Sequence, residues 1–476
     1  MTEDPRRVAV VGAGASGTLT AAQLLRRAAR AGVPLDVRLI DRAPAPGRGA
    51  AYATTADQHL LNVPAGRMSA FAEEPDDFVD WLARRAPGAH SAADHVPRGL
   101  YGAYLGDVLA TAAARPGPGR LHRVDDRVVA ARRDGAGLSL RLGTGRRLHA
   151  DAVVLALGTF PPDSAWAPAR LRRSPRFVAD PWAPGALHGL PERHDLLLVG
   201  TGLTMIDVAL ALARPGRRVH AVSRHGLVPR PHTATALPAA GPPDVDPAAG
   251  LPRVRRALLA HVSACRRTHG DWRVGIDSLR PVTAALWQGL SPTDRARFQT
   301  DDRRLWEVHR HRAAPATARA FAAAEADGRI TVGPGEVADA TPVEDGVRVR
   351  LHDGRVLTVG AVVNCTGPSA DVRRVPDPLV AVLLGAGLAE ADDLGQGFRT
   401  DARGRVRPAD GAAPAPLWTL GALRRGSLLE STAIPEIRGQ AREVAEDILT
   451  GALTAADDLG AVDDLGAVGA TAGADR

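Results

Sequence analysis

The sequence predicts an α/β protein built from two parallel-sheet units, one nested inside the other, and three observations carry that expectation. A short apolar run enters Gly12-Ala13-Gly14-Ala15-Ser16-Gly17 and leaves it as a helical stretch. A shorter copy recurs at Gly200-Thr201-Gly202. Each copy is followed by a hairpin pattern and then by an apolar strand ending in glycine, at Gly158 and at Gly367.

Taken in order, residues 8–11 form the first strand, residues 19–31 a helix closed by Gly32, and residues 37–40 a second strand with Asp41 at its end. This is a βαβ unit with an acid where a ribose would lie. Gly12 permits the tight turn, Gly14 lets backbone approach a pyrophosphate, and Gly17 allows close helix–strand contact. The helix N-terminus offers unpaired N–H groups to phosphates. Residues 138–142 and 147–150 pair as a hairpin, and residues 153–158 return as a buried strand.

In the second copy, residues 196–199 are the strand, Gly200 and Gly202 the turn, and residues 203–213 the helix, with Thr204 near its start and Met205 in place of the third glycine. The following strand, 219–222, ends in Ser223-Arg224 instead of a carboxylate, with Arg230 nearby. Arginine binds a 2′-phosphate that a carboxylate would repel, so this half favours NADPH over NADH; Arg224 also fits an ordinary solvated arginine. Strands 347–351 and 356–359 pair, and 361–367 repeats the earlier ending. The fold expected is thus two Rossmann-like dinucleotide-binding domains of the three-layer ββα type. The boundaries are 1–185 and 367–450 for one domain, 190–366 for the other, a helical insert at 251–327, and a low-complexity, disordered tail at 451–476.

Composition narrows the chemistry. The chain has 476 residues with 45% hydrophobic and 24% charged, ordinary for a globular protein of several units. Its 60 basic residues against 53 acidic ones are all arginine, which excludes a Schiff-base lysine and a Walker-type phosphate loop. Coding bias explains the arginine excess better than a polyanion does, because no basic run with interleaved aromatics occurs, so no nucleic-acid partner is expected. Cys265 and Cys365 are the only cysteines and form no Cys-x-x-Cys, which speaks against a dithiol relay. No cluster has metal-ligand spacing. The polar start and the lack of an 18-residue apolar run predict a cytoplasmic protein with no membrane partner.

Longer motifs carry a resemblance. Gly49-Ala50-Ala51-Tyr52, His59-Leu60-Leu61-Asn62-Val63-Pro64-Ala65, Pro97-Arg98-Gly99-Leu100-Tyr101-Gly102, Gly200 to Asp207, His309-Arg310-His311-Arg312, and Trp418 through Thr432-Ala433-Ile434-Pro435-Glu436-Ile437-Arg438 together resemble the FAD/NAD(P)-binding protein family. The chain looks like a two-dinucleotide-domain flavoprotein related in plan to class B flavin monooxygenases and glutathione-reductase-like enzymes. The resemblance implies FAD in the first cleft, its adenosine diphosphate held by Gly12, Gly14, Gly17 and Asp41, with Asn62 and Arg98 toward the flavin and with Ser16, Gly158, Gly367 and Gly421 as further cofactor-binding candidates. It implies NADPH on Gly200, Gly202, Thr204 and Arg224. The segment from Thr432 and Ile434 would start a helix whose N-terminus faces the flavin ring, where its partial positive charge favours the reduced anion. Thr432 reads as its N-cap, and a plain surface helix fits the same spacing. Gly421-Ala422 stands where many relatives of this plan have Gly-Asp, which leaves the usual carboxylate contact to the ribityl chain without its residue.

The family includes natural-product enzymes that oxygenate the amino group of aspartate to nitroso or nitro products. With no dithiol and no metal, dioxygen is the simplest electron acceptor, giving a C4a-(hydro)peroxyflavin that transfers oxygen to a nucleophilic nitrogen. The insert fits either a lid or a pocket wall, and His309, Arg310, His311 and Arg312 fit either a substrate-carboxylate site or a solvated basic face. Catalytic residues are otherwise unassigned. Three classes stay open: an NADPH-dependent N-monooxygenase of a small amino acid, a flavin reductase or dehydrogenase without oxygen insertion, and a non-catalytic dinucleotide-binding protein.

Overall fold

A computed structural model describes residues 4–43, 45–411 and 413–466. Its first unit is a five-stranded parallel sheet in the order Leu417–Thr419, Ala152–Leu155, Arg6–Val11, Leu35–Ile40, Gly119–Val124. Strand alternation divides its residues between two cores. Val8 and Val10 face the helices Ala15–Ala31, Arg98–Ala114 and Ile434–Gly466. Ala9 and Val11 face a three-stranded antiparallel layer, Val128–Asp134, Gly137–Leu142 and Arg147–Ala150, together with the helix Pro378–Gly385. This is the expected three-layer ββα arrangement.

The second unit repeats the plan. Its parallel sheet runs Ile330–Pro334, Val219–Ser223, Leu196–Val199, Ala361–Asn364, Phe177–Val178. Leu196 and Leu198 pack with Met205, Ile206 and Phe321 on the helical side, while Leu197 and Val199 meet Val347, Val349 and Leu351 of the antiparallel layer. Both sheets therefore bury apolar residues on both faces, which is why their central strands read as unbroken apolar runs.

Three expected boundaries move. Phe177–Val178 pairs with Ala361–Asn364 in the second sheet, and Leu171 sits in that unit's core, so the chain crosses over well before residue 185. A two-residue edge strand leaves no periodicity for a sequence pattern to register. Within 251–327, five helices from Leu251–His269 to Arg303–Arg310 form the insert, around Leu251, Val254, Trp287 and Leu290. The sixth, Pro315–Ala326, buries Phe321 and Ala324 against the second sheet and is the crossover helix of that unit. The stretch from 451, expected to be disordered, continues the helix Ile434–Gly466; residues 467–476 lie outside the described residues. Val444, Ala445 and Ile448 fix this helix on the core, and the described helix continues from there.

Gly17 lies where a Cβ would overlap the Gly12 carbonyl oxygen, whereas Gly32 has positive φ with open space around it. Gly17→Val should therefore cost about 3 kcal/mol or more, and Gly32→Ala only about 1 kcal/mol, in chemical denaturation monitored by circular dichroism.

Candidate functional site

Both glycine turns use one device. Gly12 has φ 102° and Gly200 has φ 105°, and a Cβ on either would run into a carbonyl oxygen of the neighbouring strand's exit, Ala156 for the first and Cys365 for the second. Only glycine lets the turn lie this close to the next strand. The helices Ala15–Ala31 and Leu203–Leu212 then start at Gly14 and Gly202, both extended and neither providing a side-chain cap. Two uncapped helix starts at the carboxyl edges of parallel sheets are where phosphates bind in such folds.

The remaining sites expected on the first turn gather around it. Asp41 accepts from Ala13 N–H at 2.6 Å and from Ala43 N–H at 2.8 Å, so its carboxylate is aimed at the turn. Gly14 faces Gly49 across a close backbone crossing, and a Cβ on Gly421 would stand 3.0 Å from Ser16 Oγ. Gly158 and Gly367 both have positive φ at the exits of corresponding strands. Around the second turn, Gly202 has open space, Thr204 is half-buried, and Arg224 is 76% exposed with only a 3.9 Å contact to Glu336.

Arg98 makes contacts that the sequence did not mark, and Thr432 differs from expectation. Arg98 donates from Nε to Leu60 O at 3.0 Å and from Nη2 to Asp207 Oδ2 at 2.7 Å, so its guanidinium bridges the first unit to the helix Leu203–Leu212. Asp207 is buried, and desolvation raises its pKa against the opposing pull of Arg98. Thr432 does not cap the last helix; that helix begins at Ile434, and Ile437 N–H bonds to Ala433 O, which puts Ala433 at the N-cap position. Pro435 follows at once and fixes the start one residue later than a threonine cap would.

Where the two units and the insert meet, the protein encloses a cavity of about 350 Å³. Asn62 and Arg67 come from the first unit, Leu203 and His232 from the second, Asp277 to Arg312 from the insert and its exit, and Gln396 and Arg425 to Glu436 from the returning chain. Arg310, His311 and Arg312 all line it. His309 does not: its Nδ1 bonds to Leu305 O at 2.8 Å and its ring meets Trp272 edge-on in a separate apolar groove, because the helix ends at Arg310 and turns its neighbours the other way.

Charge inside the cavity is arranged in pairs. Arg310 Nη2 bonds to Glu430 Oε2 at 2.8 Å, Arg280 Nε to Glu436 Oε1 at 2.7 Å, Arg303 Nε to Glu307 Oε1 at 2.8 Å, and Arg312 to Asp277. Six arginines and four carboxylates line the cavity, which leaves Arg67 and Arg425 unmatched and a formal excess of two positive charges. His311 is exposed to the cavity interior, and desolvation lowers its pKa, as it does for His232. Arg280, Gln299 and Gln396 lie outside every motif singled out in the sequence, and Arg425, Glu430 and Glu436 fall within the 418–438 motif without a role assigned to them, since their partners lie far away along the chain.

Residues 9–160 match a family model described as FAD-NAD(P)-binding, so this part of the chain is an FAD-NAD(P)-binding domain. No curated protein matches the chain. Among solved structures, it is similar to L-lysine 6-monooxygenase from Pseudomonas syringae, with 18% identity and a TM-score of 0.62 over 94% of this chain and 99% of that one. It is similar to ornithine N-hydroxylase from Kutzneria sp. 744, with 15% identity and a TM-score of 0.64 over 94% and 99%. A third likeness is to ornithine hydroxylase from Pseudomonas aeruginosa, with 16% identity and a TM-score of 0.61 over 93% and 98%. These likenesses fix the fold as that of two-dinucleotide-domain flavoproteins. Among the described residues, no helix is long and apolar enough to cross a membrane, and no group of three or more metal-ligating side chains comes together.

Burial, and next the Arg312 charge, hold His232 down to about 3, and its Nε2–H donates to Asn62 O at 3.0 Å. In the unfolded chain it takes a proton below about pH 6.5 while the folded form does not, so stability is lost as pH falls from 6.5 toward 3. By pH 5 the loss attributable to His232 should reach up to about 2 kcal/mol. Urea denaturation at pH 7 and pH 5 should show a smaller pH-dependent loss in His232→Gln than in the parent.

Proposed function

We propose that this chain is an FAD-dependent, NADPH-using monooxygenase that oxygenates a nucleophilic nitrogen of a small amino-acid-like substrate, with aspartate the leading candidate. The observation that carries the reading is the cavity with two excess positive charges where the two units and the insert meet. The fold relatives support N-oxygenation, since they are a lysine monooxygenase and ornithine hydroxylases, one of them with reduced FAD, NADP+ and L-ornithine. Lysine and ornithine carry an extra amine, whereas the basic excess here suits a substrate with an extra carboxylate.

The residues fit both cofactors. The uncapped helix start at Gly14, the close approach to Gly49, and Ser16 beside Gly421 suit the FAD diphosphate, with Asp41 beside the turn for the ribose. Gly200, Gly202 and Thr204 suit the NADPH diphosphate, and exposed Arg224 suits the 2′-phosphate. Gly158 and Gly367, at the strand exits, leave room beside each turn. Together the two cofactors supply hydride transfer to the flavin and activation of dioxygen for delivery to nitrogen.

The chain's own part is recognition, water exclusion and proton handling. Thr432 and Ala433 line the cavity just before the helix that starts at Ile434, whose N-terminal dipole favours a negative flavin ring there. The insert closes one side, so that the site sheds water. A substrate ammonium must lose its proton before nitrogen can act as a nucleophile. His311 lines the cavity, where a ring nitrogen can take it.

L-Aspartate should stimulate NADPH oxidation with oxygenated amine as product and little hydrogen peroxide, more than L-lysine or L-ornithine does. Stimulation by the diamino acids alone, or peroxide as the sole product, would overturn the assignment. Arg224→Ala should raise the KM for NADPH roughly ten-fold and leave that for NADH nearly unchanged. Gly14→Val, whose branches would meet Gly49 Cα, should purify colourless.

A further inference from the structure

The insert holds a second cavity, which the proposed reaction does not use. Its longest helix, Leu251–His269, turns Leu251, Val254, Leu258, Val262 and Arg266 toward one groove, at the three- and four-residue spacing that shares a helix face. Ile276, Leu286, Trp287, Phe298 and Leu305, from the four helices that follow, line it as well. The groove measures about 780 Å³, against about 350 Å³ for the substrate cavity. Leu259 and Leu305 lie on it and are 58% and 52% exposed, an apolar surface that folding leaves in water.

The two ends of the groove differ in charge. Gly275 passes so close to the long helix that a Cβ would stand 2.7 Å from Val262 Cα, which sets Trp272–Ser278 against the turn just before Arg266. Arg273, on that short helix, donates from Nε to Pro231 O at 3.0 Å, which brings Arg230 to the same end. Asp271 pairs with Arg273 at 2.9 Å, whereas Arg230 and Arg266 are exposed and make no ion pair among the described residues. At the opposite end Leu251, Val254, Trp287 and Leu290 close into one buried cluster. Arg255 lines the stretch between them but is matched by Asp302 at 2.5 Å. A helical rise of about 1.5 Å per residue puts Arg266 about 18 Å beyond Val254, so the unmatched cations stand well away from the apolar end.

Shape and charge select the occupant. An α-helix about 10 Å across would fill roughly 1,700 Å³ over the stretch of about 22 Å from Leu251 to Arg266, more than twice the volume of the groove. A second copy of this chain, docked about a two-fold axis, would bring Arg230 and Arg266 toward the same charges on its partner. A single hydrocarbon chain with an anionic head meets neither obstacle. Its methylenes cover the apolar face, and its head meets guanidinium groups whose paired N–H donors match a carboxylate. We propose that this groove is a binding site for a free aliphatic carboxylate of medium chain length, with its tail toward Trp287 and its head at Arg230 and Arg266. Trp306 and Leu429 line both this groove and the substrate cavity, so the bound chain lies behind a wall that the two share.

The test is titration calorimetry of the full chain, loaded with FAD, using octanoate, decanoate and dodecanoate below their micelle concentrations. One site per chain is expected, and each pair of added CH2 groups should tighten binding about ten-fold until the groove is filled. Decylamine, protonated at neutral pH, carries the decyl chain with the opposite charge and should bind at least about ten-fold more weakly than decanoate. Leu258→Trp, which fills the middle of the groove, should flatten the dependence on chain length. Arg266→Gln should weaken all three acids about three- to five-fold and leave that dependence intact. Both variants should keep the parent's FAD content and urea midpoint, which report folding, and none of these readouts depends on NADPH oxidation. Equal affinities for octanoate and dodecanoate, or decylamine binding as tightly as decanoate, overturn the assignment. So does a Leu258→Trp protein that keeps the parent's dependence on chain length, since the acids then bind elsewhere. Failure of all three acids to bind overturns it outright; dimers in sedimentation velocity would then give the groove to a second copy, and cosedimentation with anionic phospholipid vesicles to a membrane surface.

Discussion

The structure depends on a close backbone contact made twice. Gly12 lies against the Ala156 carbonyl and Gly200 against the Cys365 carbonyl, and each contact fixes where a helix starts relative to the exit of the adjacent strand. Parallel sheets send every strand's carboxyl end to one edge, so these contacts place two uncapped helix N-termini along the edges from which cofactor sites are built. In the second copy the helix–strand contact of Gly17 has no equivalent; Met205 fills that position and is fully buried, so the second helix is seated by side-chain packing where the first is seated by backbone approach.

The two units are tied together by polar contacts that also serve the insert. Arg98 reaches from the first unit to Asp207 on the second unit's glycine-turn helix. Arg304 of the insert bonds to Thr201 O at 3.1 Å and to Leu227 O, so the insert grips the second turn itself. Arg280 and Arg310 then join the insert to Glu436 and Glu430 of the returning chain. Each of these pairs is partly or wholly buried, and removing one partner would strand the other charge away from water. The cavity is therefore a product of docking three parts in one geometry, and its charges double as the contacts that hold that geometry.

Much of the fold could be read from sequence because its signals are local. Glycine spacing, the acid at Asp41 and the apolar runs each lie within one strand–turn–helix segment, and the structure keeps Leu196–Val199 and the flanking hairpins where the pattern puts them. The crossover point and the end of the insert were misplaced for physical reasons: Phe177–Val178 is too short to show alternation, and Pro315–Ala326 looks like its neighbouring helices until its packing partner is known. The site was legible only in part. Arg310 to Arg312 stand out as a basic run, but their partners Glu430 and Asp277 lie 120 and 35 residues away, and nothing in the local sequence marks either carboxylate. Arg98 could be read from its motif, but its bond to Asp207 across the interface between the units could not.

The first sheet takes its edge strand, Leu417–Thr419, and a covering helix, Ile434–Gly466, from the far end of the chain. A ribosome delivers those pieces last. Until they emerge, Val8, Val10 and Val154 of the nascent protein lack part of their cover, while the nested second sheet already has all five of its strands. Vectorial synthesis would thus complete the inner unit before the outer one, and the unfinished outer sheet is the surface a chaperone would have to shield in the interval.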